Sequence, residues 1–293
     1  MKIFWGIDPF HQNKTQLQRA YKLILAMQAK PKDEIHVGYV VTRNETDLTL
    51  AFDVPIDERF TSYPKKVLEK KLKNAGIPTQ KLRLHVVDFP TLSTTKAAEY
   101  LLKMAKQNSC DLCVVYSQGG SSVKKLFLGS FAESIVHLAQ NKLLVVNPHS
   151  KLQSGIKSVF FCYDGERGSQ KALEDTIVFC KEKGARLIVF HAARFSYNIA
   201  DKNLSSDEKA YNQKLNQTKK SVEDACAKQK VICKFIISTK FEMISTLALK
   251  HASKQRADLV AVVAKSGRGT ALMGGSVTRQ ILRASRVPVL VLR

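Results

Sequence analysis

One pattern constrains this chain more than any other: the same order of apolar runs and amphipathic stretches occurs twice. The chain opens with KIFWGID, a strand-type run ending in Asp8, followed by the helical period of TQLQRAYKLILAMQAK and by EIHVGYVV, a second strand-type run. Past the midpoint, SVFFCYD ends in Asp164, GSQKALEDTIVFCKEKG is helical, and ARLIVFHA returns to strand character. The match continues. PKKVLEKKLKNAG and KAYNQKLNQTKKSVEDACAKQK are amphipathic helices, each leading to a β-rich run, RLHVVDF and VICKFIIS. STTKAAEYLLKMAKQ and EMISTLALKHASKQ then precede the buried-type strands DLCVVY and DLVAVV, and each half closes with a Gly-rich loop, a helix and a last strand, KLLVVNP or VPVLVLR.

Strands alternating with helices demand crossover connections, so the expected class is α/β: two tandem five-stranded, mainly parallel sheets with helices on both faces. With 293 residues the chain is long enough for two domains, expected at 1–148 and 155–293, with NPHSKLQSG (147–155) as the polar connector. Each half carries one aperiodic insertion, 43–62 and 194–207, expected as surface loops near the C-terminal edge of the sheet.

In an open parallel sheet the ligand crevice lies beyond the strand C-termini, where strand order reverses. Asp8 and Asp164 each end a first strand, and each Gly-rich loop follows a fourth. In the first half, YSQGGSSVKKLFLGS places Gly119 and then Gly129-Ser130 ahead of a helix, where glycine allows close backbone approach and free helix-start amides favour an anion. Ser130-Phe-Ala-Glu133 reads equally as a capping box that satisfies those amides without a ligand. Both aspartates also suit a polar turn into the following helix.

These residues resemble the universal stress protein family, here as a tandem two-domain member; the resemblance rests on YDGERGSQKALE, DLCVVYSQGGSSVKKLFLGSFAESIV and the terminal PVLVLR. It implies an adenine-nucleotide alpha-hydrolase-like, Rossmann-like fold, a pseudo-dimer through the last strands, and a universal stress response protein that binds ATP or a related adenine nucleotide, with or without Mg, or acts as a regulatory module. By resemblance, Asp8 and Asp164 lie near base or ribose and Val40 offers backbone to the base. In ATP-binding members the loop reads Gly, two residues, Gly, nine residues, then Gly-Ser or Gly-Thr. The first half keeps that length with Gly119, Gly129 and Ser130 but has Tyr116 at the first glycine. The second half keeps Gly275-Ser276, lacks both earlier glycines, and is one residue shorter counted from Asp258. The first domain is therefore the better expected ATP site. Lys265, Arg268 and Arg279 give the second loop a way to hold an acidic ligand by charge, or are ordinary surface cations.

Charge supplies the competing reading. Net charge is +22, divided as +8 over residues 1–150 and +14 over the remainder, an excess that attracts polyanions over long range. The alternative function is thus a basic adaptor, without nucleotide, for RNA, an acidic protein or a membrane surface. The lysines also fit the solvated faces of helices. No HExxH, GxSxG or Walker motif occurs and the seven histidines are scattered, so no enzyme is expected, slow ATP hydrolysis being the weakest option. No run reaches the roughly 18 apolar residues of a membrane helix, and MKIFWGIDPF does not read as a signal peptide. The six cysteines fall in apolar patterns and read as reduced thiols, which makes the expected location cytoplasmic; Cys110-Asp-Leu-Cys113 has redox spacing, but Cys113 falls within a strand pattern.

Overall fold

The structure, a computed structural model, describes residues 1–28, 33–42, 62–89, 91–117, 130–148, 150, 155–165, 167–193, 206–240, 242–264 and 276–293. In the first half, strand β1 (Lys2–Gly6), helix α1 (Lys14–Met27), β2 (Glu34–Val41), α2 (Ser62–Asn74), β3 (Leu82–Asp88), α3 (Thr94–Gln107), β4 (Leu112–Tyr116), α4 (Ser130–Leu138) and β5 (Lys142–Val146) follow in order. The second half repeats them: β6 (Ser158–Cys162), α5 (Arg167–Lys183), β7 (Arg186–Ala192), α6 (Ser206–Lys228), β8 (Cys233–Ser238), α7 (Ile244–Lys254), β9 (Leu259–Val263), α8 (Ser276–Ala284) and β10 (Val289–Leu292).

Both loop expectations need trimming at their ends. Ser62 already belongs to α2, and Ser206 and Asp207 to α6; Ser and Asp suit a helix start, where the dipole and the unpaired amides favour them. The rest of both insertions lies outside the described residues.

Each half is a parallel sheet, ordered β3-β2-β1-β4-β5 and β8-β7-β6-β9-β10, and the two run on into one sheet of ten strands. The join is antiparallel, β5 against β10, with Leu144 opposite Leu290. The pairing expected through the last strands is therefore direct sheet extension, which turns two vulnerable edges into the middle of the molecule. Leu143, Leu144, Val145 and Val146 of β5 are fully buried.

Helices cover both faces. One apolar layer takes Leu17 and Ile24 from α1, Leu68 and Leu72 from α2, Leu173 and Ile177 from α5, and Val222 from α6. The other takes Ala98 and Leu101 from α3, Ile135 from α4, Ala248 from α7 and Ile281 from α8. Strand residues alternate between the layers, Val114 and Tyr116 facing the first, Cys113 and Val115 the second. Local chemistry sets the helix starts: Asn13 and Gln16 cap α1 reciprocally, and the Ser93 side chain accepts from the Lys96 amide at α3.

The duplication reaches single side chains. Asp111, before β4, accepts the Lys2 amide at 2.8 Å, and Asp258, before β9, accepts the Lys157 and Ser158 amides at 2.9 and 3.0 Å. Each ties the start of a fourth strand to that of a first.

Candidate functional site

Strand order reverses between β1 and β4, because the chain steps outward through β2 and β3 and returns to the other side of β1. A cavity of about 220 Å³ opens there, beyond the strand C-termini. It is smaller than the roughly 300–1,000 Å³ of sites that enclose a drug-sized ligand. The space suits one moiety of a nucleotide, with the remainder outside it.

Glycine and alanine make the space. Gly6 lines the cavity, and a Cβ there would lie 3.3 Å from Leu101 Cδ1; Ala97, Val40 and Val115 complete an apolar wall. At the polar edge stand Asp8, His11, Thr42, Thr94 and Ser130. Ser130, Phe131 and Ala132 bring the first turn of α4 against the cavity, which places helix-start amides within its reach.

Asp8 closes a turn at the edge of the cavity. Its Oδ1 accepts from the Phe10 and His11 amides at 2.9 and 3.0 Å, a turn closed by the aspartate itself, while the residue lines the cavity. Its Oδ2 lies 2.8 Å from His11 Nδ1. An ionised carboxylate only accepts, so Nδ1 carries the hydrogen and Nε2 is the ring atom left for a ligand. His11 was not singled out in the sequence; its signal is the three-residue spacing from Asp8, invisible until the turn folds.

Tyr116 turns away from the α3 side. It is 6% exposed and packs in the α1-side layer, with its hydroxyl near Arg19 and Gln16. Burial raises its pKa, and Arg19 and Gln16 act against that. The hydroxyl meets no full hydrogen bond. Tyr116 therefore borders the cavity without its ring filling it.

Val40 and Ser130 thus join Asp8 at one site. Gly119 and Gly129 lie outside the described residues, as do Lys265, Arg268 and Gly275. Glu133, read as the capping acid of α4, instead faces the second half: its Oε1 is 3.1 Å from Arg283 and 3.6 Å from Arg279. Arg279, read as an anion contact, therefore has a carboxylate of the same chain as its anion. Ser276 begins α8. Asp164 is exposed, and its Oδ1 accepts from Ser169 Oγ at 2.5 Å.

The second half carries side chains at two strand positions where the first has glycine. By strand register Cys162 stands where the first half has Gly6, and Phe190 where it has Gly38; counting from Asp258 as from Asp111, Ala248 replaces Leu101. Phe190 packs on Phe160 at 5.6 Å between ring centroids and on His251 at 5.3 Å. Burial pushes the Cys162 thiol up to about 12. Cys113 is likewise raised to about 12 and Cys110 to about 11, both chiefly by burial, so the CxxC pair lacks the lowered pKa of a reactive dithiol. Among the described residues no group of His, Cys, Asp and Glu forms a metal site, and no helix is long and apolar enough to cross a membrane.

The family model described as the universal stress protein family matches residues 1–147 and again 155–293. The chain belongs to the universal stress protein family. A comparison with curated proteins returned no match. Among solved structures, a universal stress protein from Archaeoglobus fulgidus DSM 4304 is 18% identical, with a TM-score of 0.64 over 100% of this chain and 96% of that one. A putative universal stress protein from Pseudomonas aeruginosa UCBPP-PA14 is 13% identical, with a TM-score of 0.62 over 99% of this chain and 92% of that one. At these identities the likeness shows the fold alone. A universal stress protein from A. fulgidus in complex with dAMP, 11% identical, covers 47% of this chain and 98% of its own at a TM-score of 0.36, too slight a likeness to bear on the ligand here. This universal stress protein is thus a tandem of two family domains in one sheet.

Proposed function

We propose that this universal stress protein is a non-catalytic, cytoplasmic binding module whose first domain holds ATP or another adenine nucleotide, with or without Mg, and whose second domain has given up that role. We place the domains at 1–148 and 155–293. One observation carries the reading: the cavity at the β1/β4 reversal combines an apolar wall with the Asp8–His11 edge and the first turn of α4. An aromatic base suits the first, a ribose the second and phosphate oxygens the third. The side chains of Cys162 and Phe190, where the first half has glycines, support assigning binding to the first domain alone.

Calorimetric titration of the full chain with ATP and Mg²⁺ tests this. Ala97→Leu, which thickens the cavity wall, is expected to weaken binding about fivefold or more, because an overfilled apolar site costs on the order of 1–3 kcal/mol. Asp164→Ala is expected to leave the affinity unchanged. Equal loss in both variants would place the ligand elsewhere.

The net charge of +22 favours a second reading, a basic adaptor for RNA, an acidic protein or a membrane surface. Salt separates the two: polyanion affinity drops steeply between 50 and 200 mM salt, on the order of a thousandfold for six or more phosphate contacts, whereas a pocket contact changes far less.

A further inference from the structure

The β5–β10 join has an approximate two-fold axis through the Leu144–Leu290 pair. Val145 faces Val289 and Leu143 faces Val291, the same pairing read from either side. Helices α4 and α8, SFAESIVHL and SVTRQILRA, are equivalent elements on either side of that axis, so Glu133 and Arg279 occupy the same position in the two halves. They meet across the axis at 3.6 Å, and Arg283 adds a second contact to Glu133 at 3.1 Å. In a symmetric pair of first halves Glu133 would face its own copy; in a pair of second halves, arginines would face arginines. Only the fused, diverged chain brings opposite charges to this spot.

The contact sits one residue from the candidate site. Ser130, Phe131 and Ala132 line the cavity, and Glu133 is next in the same helical turn. Farther along α4, the Arg293 guanidinium donates to the Val136 carbonyl, so the second half grips the helix at two levels. The ion pair does not recommend itself as a stabiliser: side-chain exposures of 31–41% put it in the class of surface pairs that contribute little. Arg283 Nε is also buried without an acceptor, which sets a cost against any gain. Position explains the pair better. A free carboxylate in the first turn of α4 would repel an incoming anion, and two guanidinium groups neutralise it while fixing the turn.

Resting on the nucleotide reading above, we infer that Arg279 and Arg283 of the second domain are positioning residues for the first domain's anion site, acting through Glu133 on the first turn of α4. The second domain thereby becomes a resident regulator of the other.

The test uses the full chain and two readouts. In Arg279→Gln/Arg283→Gln, amide hydrogen exchange at residues 134–137, the first amides bonded within α4, is expected to quicken several-fold without nucleotide, and the Kd for Mg-ATP to rise about fivefold, the low end of inter-site coupling. Glu133→Arg should quicken exchange likewise, and combining it with Arg279→Glu and Arg283→Glu should restore the wild-type exchange rate. Unchanged exchange in the arginine variant overturns the inference, as does quickened exchange with unchanged ATP affinity. If the wild-type chain binds no ATP, the nucleotide reading fails by itself, and exchange still decides whether the arginines hold α4: quickened upholds that, unchanged overturns it.

Discussion

At the scale of single residues, the first half depends on positions where a side chain is missing. Gly38 in β2 lies beneath the Phe4 ring, and a Cβ there would stand 2.3 Å from Phe4 Cζ. Gly38→Ala is therefore expected to destabilise the protein by about 1–3 kcal/mol, the usual cost of overpacking, seen as a lower urea midpoint. Beside it, His36 Nδ1 and His85 Nε2 lie 3.0 Å apart with rings stacked, and Glu34 Oε2 lies 3.3 Å from His36 Nε2. Glu34 accepts from His36, which leaves His36 Nδ1 to accept from His85. Burial, then the charges of His36 and Arg83, hold the His85 pKa below the usual histidine value. A base depressed in the fold takes up its proton more readily when unfolded, so its contribution is present above about pH 6.5 and is lost as pH falls. Urea midpoints at pH 7.5 and 5.5 should show that loss, and His85→Gln should flatten it.

Among the elements, the weakest link by inspection, the turn after β5, is heavily engaged. Asn147 is fully buried: its Nδ2 donates to the Ser285 carbonyl at 2.8 Å, its Oδ1 accepts from Ser117 Oγ at 2.8 Å, and its amide donates to Ser150 Oγ at 3.2 Å. It thus ties the end of β4 to the turn before β10. Asn147→Ala would leave buried polar partners unpaired, each at about 1–3 kcal/mol, so a loss of at least about 2 kcal/mol in chemical denaturation is expected. Asn147→Asp sets a carboxylate against the Ser285 carbonyl in a fully buried site and should cost at least as much. In the sequence this residue belongs to NPHSKLQSG and reads as connector; its polarity is clear there, its burial is not, because its partners lie 30 and 138 residues away.

For the whole molecule, the continuous sheet predicts one folding unit from two repeats. The joined strands carry no exposed edge between them, so neither half keeps a complete surface once the other unfolds. Calorimetry is expected to show a single transition with equal calorimetric and van't Hoff enthalpies; a ratio near two would mean that the halves unfold separately. Leu290→Pro removes a backbone donor from the middle of the sheet and should cost about 3 kcal/mol or more, lowering the melting of both halves together.

Periodicity alone determined the class, the ten strands and the duplication, because apolar spacing is a local property set by the burial each element must achieve. Asp8 and Ser130 were named from their places beside a strand end and at a helix start, Val40 from the family resemblance, and all three line the cavity. Tertiary structure decided the rest. His11 became a partner of Asp8 only when a turn closed, Tyr116 left the α3 side because strand alternation pointed it at α1, and Glu133 and Arg279 exchanged apparent roles for an ion pair across a two-fold axis. Such pairings join residues far apart in the chain, and no local pattern encodes which side chains the closing of a sheet will bring face to face.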